Sequence, residues 1–306
     1  MHVNICRHSA ALLLLAASCL FAADEPTYMR RYTPDVKPQP DDLTANAKSA
    51  SYKPFFGIGD TEKWKIKIVN QEVPEVTLPR GVARYGELTV DPGGSSAVVS
   101  YPAEEQIYFV LDGNGTLLYG DQKAPIQKND FMYLPVGVAH GVANGSNAPI
   151  RLLVMGYKIP AGTKVAPTPA LMLANADDVK LQLVGGHGET SHFKLLMGTT
   201  QSKRDKLAAA SEMVSLFIME FDPSGTNNGH SHEYEEEIYY VLRGHGDMIA
   251  GDGGDGDEGL HPTKAGEAWF LRLNCTVGYY SRSSKSDPPD LILAVRSRYP
   301  TARRGN

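Results

Sequence analysis

The stretch His230-Ser-His232-Glu-Tyr-Glu-Glu-Glu237-Ile-Tyr-Tyr-Val-Leu-Arg-Gly244 decides the reading of this chain. His230 and His232 are separated by one residue, so on extended backbone both imidazoles leave the same face. Glu237 follows after a segment long enough for a short turn, which would return its carboxylate toward the pair. Two imidazoles and one carboxylate suit Fe, Mn, Zn, Ni or Cu better than the hard cations Ca or Mg. A hydrated acidic hairpin carries the same local string, so the rest of the chain must arbitrate.

A degenerate copy of the stretch lies upstream. Glu104-Glu-Gln106-Ile-Tyr-Phe-Val-Leu-Asp-Gly113-Asn-Gly115 repeats as Glu235-Glu-Glu237-Ile-Tyr-Tyr-Val-Leu-Arg-Gly244-His-Gly246. Asn129-Asp-Phe-Met-Tyr-Leu aligns with Gly266-Glu-Ala-Trp-Phe-Leu, and Ile150-Arg-Leu-Leu-Val-Met with Leu291-Ile-Leu-Ala-Val-Arg. Short alternating apolar runs, abundant Gly and Pro, and few helical blocks make the chain all-β. It is read as two copies of one β-domain, over residues 61–160 and 211–300. Residues 161–210 form a Pro- and Gly-rich linker and a connecting segment with one strand and one short helix, and 301–306 are a basic tail.

Residues 1–23 have the layout of a secretory signal peptide: Arg7 and His8, an apolar run from Ala10 to Phe21, then Ala22-Ala23 before Asp24. The expectation is export to the periplasm or medium. A second reading takes Ala16-Ala17-Ser18-Cys19 as a lipoprotein box with Cys19 lipidated, and that would be the one route to a membrane. Cleavage after Ala22 or Ala23 leaves Cys275 alone, without a disulfide partner. Residues 24–60 read as a polar, Pro-rich arm that lies on the surface or crosses a partner subunit. The net charge of -5 over 306 residues, with no long basic run, argues against nucleic acid as a partner.

Each copy resembles a cupin, a small jelly-roll β-barrel, and the pair resembles a bicupin. The family's first motif joins a glycine, an H-x-H pair, a glutamate and a closing glycine. His230, His232, Glu237 and Gly244 fit it, with Gly225 one residue nearer than the pattern places the opening glycine. The second motif is met in the first copy by Pro135, Gly137, His140 and Asn144, with Asn129 for its opening glycine. The first copy has Val99, Tyr101 and Gln106 at the other three ligand positions, and Val277 stands in the second copy where His140 stands in the first. The ligand set is thus divided three and one between the copies. His140 with Tyr101 and Gln106 reads as a hydrogen-bonded cluster, while His230, His232 and Glu237 read as an open metal site. By strand parity, Cys275 and Tyr279 share the face of Val277; either could donate a fourth ligand, but ordinary packed side chains are the expectation.

The resemblance implies a divalent transition metal (Fe, Mn, Ni, Cu or Zn) and a small chelating organic substrate or ligand. The reaction class it implies is metal-dependent oxidoreductase, dioxygenase-like as in quercetin-cleaving bicupins. A non-enzymatic binding or storage bicupin is the alternative, and a metal-dependent hydrolase or isomerase a further one. Pairing into a homodimer is suggested by the same analogy. Asp252, Asp255, Asp257 and Glu258 lack the spacing of an EF-hand loop and are expected in a hairpin tip. His187, His192, His245 and His261 have no spacing that implicates them.

Overall fold

The computed structural model describes residues 29–57, 63–68, 71–77, 81–165, 168, 170–251 and 258–298. The signal-peptide segment with Cys6 and Cys19, residues 252–257 of the acidic loop and the basic tail lie outside them. Among the described residues the chain is almost wholly β, with two single-turn 3-10 helices at Asp42–Thr44 and Ala176–Asp178.

Each sequence copy folds as one curled antiparallel unit. In the first, Glu104–Asp112 lies between Asp130–Leu134 and Ile150–Lys158, and Ile150–Lys158 pairs on its other edge with Val82–Ser95. In the second, Glu235–Arg243 lies between Ala268–Leu271 and Asp290–Arg298, which pairs in turn with Met213–Phe221. The middle of each central strand, Ile107 to Leu111 and Ile238 to Leu242, is continuously apolar because both faces pack against other parts of the fold. Tyr108 and Val110 turn into the first barrel while Ile107 and Phe109 join a layer between the barrels. Tyr239 and Val241 likewise fill the second barrel, and Ile238 and Tyr240 enter the shared layer.

The segment read as an arm is divided between the barrels. Lys48–Gly57 pairs with Val82–Ser95 in the first sheet. Met29–Tyr32 instead pairs with Ala268–Leu271, on the edge of the second. The connecting segment does the converse. Met172–Asn175 pairs with Asp130–Leu134 of the first barrel, whereas Ser191–Thr199 joins Met213–Phe221 of the second. Each copy is therefore preceded by a short strand that closes the edge of the other copy, so the arm crosses within one chain. Two aligned acids hold these strands. Glu267 takes the Arg31 guanidinium at 2.7 Å, and Asp130 accepts from the Asn175 amide at 2.8 Å.

A reciprocal clamp joins the units. Fully buried Glu105 accepts from the backbone N–H of Ser211, Glu212 and Met213 at 2.7 to 2.8 Å and from the Tyr133 hydroxyl at 2.9 Å. Its counterpart Glu236 accepts from Gly81 N–H, at the entry to the first sheet, at 2.9 Å. Burial pushes the Glu105 carboxyl up, against the lowering effect of those donors.

The register corrects one alignment made from the sequence. Gly156 faces Gln106 and Arg296 faces Glu237, so Gly156, not Met155, is the counterpart of Arg296. A slip of one residue moves every side chain to the other face, and a strand that is apolar on both faces gives no parity by which to detect it.

Candidate metal centre

His230 lies on the segment entering the second barrel, bridged to Val277 by a pair of backbone hydrogen bonds at 2.7 and 3.0 Å. The His232 carbonyl accepts from Asn274 N–H at 2.8 Å, and a bend at 233–234 then leads into the strand that carries Glu237 on its inward face. One donor atom from each of His230, His232 and Glu237 falls within 4.8 Å of the others. The His230 and His232 rings are 5.0 Å apart and nearly perpendicular.

The polar surroundings fit a cation. His230 Nδ1 sits 3.0 Å from the Asn228 carbonyl, which only a protonated Nδ1 satisfies, so Nε2 presents its lone pair. His232 Nδ1 has Glu235 Oε2 at 3.7 Å and Arg296 Nη1 at 3.4 Å on its far side. His232 Nε2 and Glu237 Oε2 approach to 3.1 Å, yet both are buried without a hydrogen-bond partner. Burial would raise the Glu237 carboxyl, but the adjacent His232, by charge and by close polar contact, and then Arg296 outweigh it and hold it below the ordinary range. Burial lowers His230, keeping it neutral and able to ligate. An ionised carboxylate, a neutral imidazole and two orphaned donor atoms at one point are what a divalent transition ion would satisfy.

A narrow pocket of about 20 Å³ opens over these groups. Its apolar wall includes Phe193, Leu195, Phe217 and Met219, and its charged wall Arg204 and Arg296. Arg204 donates to Ser215 Oγ at 2.9 Å, and Arg296 stands 5.9 Å over the Phe217 ring. The lining thus sets an apolar wall against a cationic one above the three donors.

The first barrel shows the complementary pattern. There Val99 is bridged to His140, the mirror of the His230 to Val277 bridge, so the histidine changes strand between copies. His140 Nδ1 meets the Val138 carbonyl at 2.8 Å and Nε2 lies 3.3 Å from Gln106 Oε1, while the Gln106 amide donates to Glu104 at 2.8 Å. The arginine changes strand as well. Arg84 binds Glu104 at 2.9 Å, and a side chain at Gly156 would collide with both, whereas in the second barrel Arg296 pairs with Glu235 at 3.4 Å. Both ring nitrogens of His140 are engaged, while the hydroxyl of Tyr101, the third residue expected in the cluster, is buried without a hydrogen bond, its ring 6.0 Å from that of His140.

Residues 86–156 match the family described as Cupin domain. Over nearly its whole length the fold also matches solved structures. A protein described as glyoxylate-induced from Pseudomonas aeruginosa superposes with a TM-score of 0.66 at 15% identity, covering 98% of this chain and 95% of that one. Protein Ylba from E. coli gives 0.64 at 14%, over 92% and 93%. A deletion variant of Bacillus subtilis oxalate decarboxylase gives 0.60 at 11%, over 88% and 76%. Residues 86–156 are a cupin domain, and the chain as a whole has a two-barrel cupin fold. At these identities the likeness concerns the fold. An uncharacterized protein of Methanocaldococcus jannaschii is 28% identical over 88 residues, 28% of this chain and 70% of that protein.

Cys275 and Tyr279 are packed side chains, and neither is placed as a fourth ligand. Tyr279 does share the buried face of Val277, but its hydroxyl donates to Asp290 at 2.9 Å. The Cys275 thiol is directed at the Thr276 carbonyl at 3.1 Å, and it is not among the groups that converge with His230. The sequence reading passed over two residues of the site. Arg296 was masked by the one-residue slip. His187, in the connecting segment, lines the pocket with its ring 4.8 Å from that of His230. Burial, followed by the charge of His230, pushes His187 down to about 4.

Proposed function

We propose that the second barrel binds a divalent transition metal through His230, His232 and Glu237 and acts there on a small anionic chelating molecule, as a dioxygenase-like oxidoreductase. The observation that carries the reading is the convergence of three donors, two of them orphaned and buried, at the base of a pocket with two arginines. A bound ion would supply Lewis acidity and, if redox-active, an electron path to O2. The chain's own groups do the rest. Arg296 and Arg204 hold the anionic end of the substrate, Phe193 and Phe217 exclude water from its body, and Glu237 remains ionised to ligate or to accept a proton. Solved neighbours of the same fold include an oxalate decarboxylase whose Mn(II) centres have been characterised, which supports a divalent metal and a small acid as classes. Export of the protein is part of the proposal and rests on residues 1–23.

Reconstitution with Fe2+, Mn2+, Ni2+ or Cu2+ should give oxygen uptake with at least one flavonol, catechol, diketone or small carboxylic acid. Loss of that uptake in Glu237→Ala would tie it to the site, and absence of uptake across all pairs would overturn the oxidoreductase reading. A second reading, a binding cupin with a structural metal, is favoured by Val277 at the fourth ligand position and by the engagement of both His140 ring nitrogens in the first barrel. A metal held tightly but inert toward every substrate would select it.

A further inference from the structure

We propose that His187 supplies a fourth protein ligand to the ion of the second barrel, delivered by a glycine loop from the pocket side. The inference rests on the metal reading of His230, His232 and Glu237 and adds to it a residue that belongs to neither cupin motif. Val277 is buried opposite His230, so no ligand comes from that strand. On the other flank, the His187 ring lies 4.8 Å from the His230 ring at 79°, close to the 5.0 Å and 86° relating His230 to His232. All three imidazoles line the pocket.

His187 Nδ1 is buried with no hydrogen-bond partner, and so are His232 Nε2 and Glu237 Oε2. Packing alone does not account for this. The His187 ring does rest against Phe193, with centroids 5.0 Å apart, but an apolar ring would fill that contact without stranding a nitrogen. His187 is not within the 4.8 Å group of donors, so ligation needs its ring to advance toward them. The backbone is built to permit it. Gly186 and Gly188 flank the histidine at φ of +88° and +83°, a region where glycine moves without a Cβ penalty. The backbone is anchored at the histidine, whose carbonyl accepts from Ser191 Oγ at 2.9 Å and whose N–H donates to the Val184 carbonyl at 3.3 Å, so the advance falls to the side chain and the glycines beside it. A hinged ligand on the open side of the ion can also yield its position to a chelating substrate.

The test uses the full mature protein loaded with Zn2+, counting imidazoles by X-ray absorption and measuring affinity by chelator competition. Wild type should show three imidazoles, and His187→Ala and His187→Gln two. Affinity in both should fall by more than about 100-fold, beyond what an outer-shell partner of a ligand contributes. Two imidazoles in wild type and variants alike, with affinity unchanged, would overturn the role of His187 and leave the three-residue site standing. No Zn2+ bound by the wild type would overturn both. Unchanged thermal unfolding of the metal-free variants is expected, which separates a lost ligand from a lost fold.

Discussion

His232 Nε2 stands 3.1 Å from Glu237 Oε2, and neither atom makes a hydrogen bond. Two buried polar atoms left in this state cost stability unless a third group enters between them. Metal should therefore stabilise the fold. We expect the metal-loaded protein to unfold at a higher temperature than the metal-free protein, with the difference abolished in Glu237→Gln. Differential scanning calorimetry with and without chelator measures this.

The strand exchange between copies makes a gain of function testable. Val277 faces His230 as His140 faces Val99, so Val277→His restores a donor at the position the second barrel lacks. We expect slower metal release and a less open coordination sphere, read by stopped-flow chelation and by the ligand-field spectrum of the Co2+ form. Faster release would mean that this strand does not face the ion.

Arg296 is the charged group shared by the pocket and the ligands. Arg296→Met removes a charge-assisted contact of about 1.5–3 kcal/mol. That corresponds to roughly 10–100-fold weaker binding of an anionic chelator. Metal should remain bound. Calorimetric titration of an oxalate-sized dianion into wild type and variant checks the split, and equal affinities would exclude Arg296 from recognition.

The clamp between barrels is a claim about stability. Glu105→Ala would leave the N–H groups of Ser211, Glu212 and Met213 without their acceptor. A loss of about 3 kcal/mol or more is expected, from a penalty of about 1–3 kcal/mol for each buried donor left unsatisfied. Urea unfolding of the metal-free protein measures it, and a change below about 0.5 kcal/mol would place the inter-barrel bond elsewhere.

His140 gives a pH dependence of defined sign. Burial lowers its pKa below the ordinary value, so the unfolded chain binds a proton at a pH where the folded chain does not. Stability should fall as pH drops below about 6.5, the unfolded value, and level off beneath the lower folded value. His230 and His187 act in the same direction when no metal is bound. In metal-free protein the decline between neutral and mildly acidic pH should therefore shrink in His140→Gln without vanishing.

The parts of this molecule legible in its sequence are those written in period two or in repetition. The doubled strand Ile107 to Leu111 and Ile238 to Leu242 exposes the two copies. The H-x-H spacing places two imidazoles on one face, and the repeat shows that His140 and Val277 have traded places. Contacts made across the fold left no local trace. Met29–Tyr32 is a four-residue strand whose partner lies in the other copy, anchored by Arg31 on Glu267. Arg296 was displaced by one position because its strand is apolar on both faces, so similarity there carries no register. His187 reaches the site through a turn whose glycines describe only freedom, and nothing near it in the sequence names His230 as its neighbour.

The most direct test of the account is the metal content of the purified protein, beside a His230→Ala/His232→Ala double variant. The account predicts one divalent transition ion per wild-type chain and none in the variant, with both folded. Equal metal in the two proteins would contradict it.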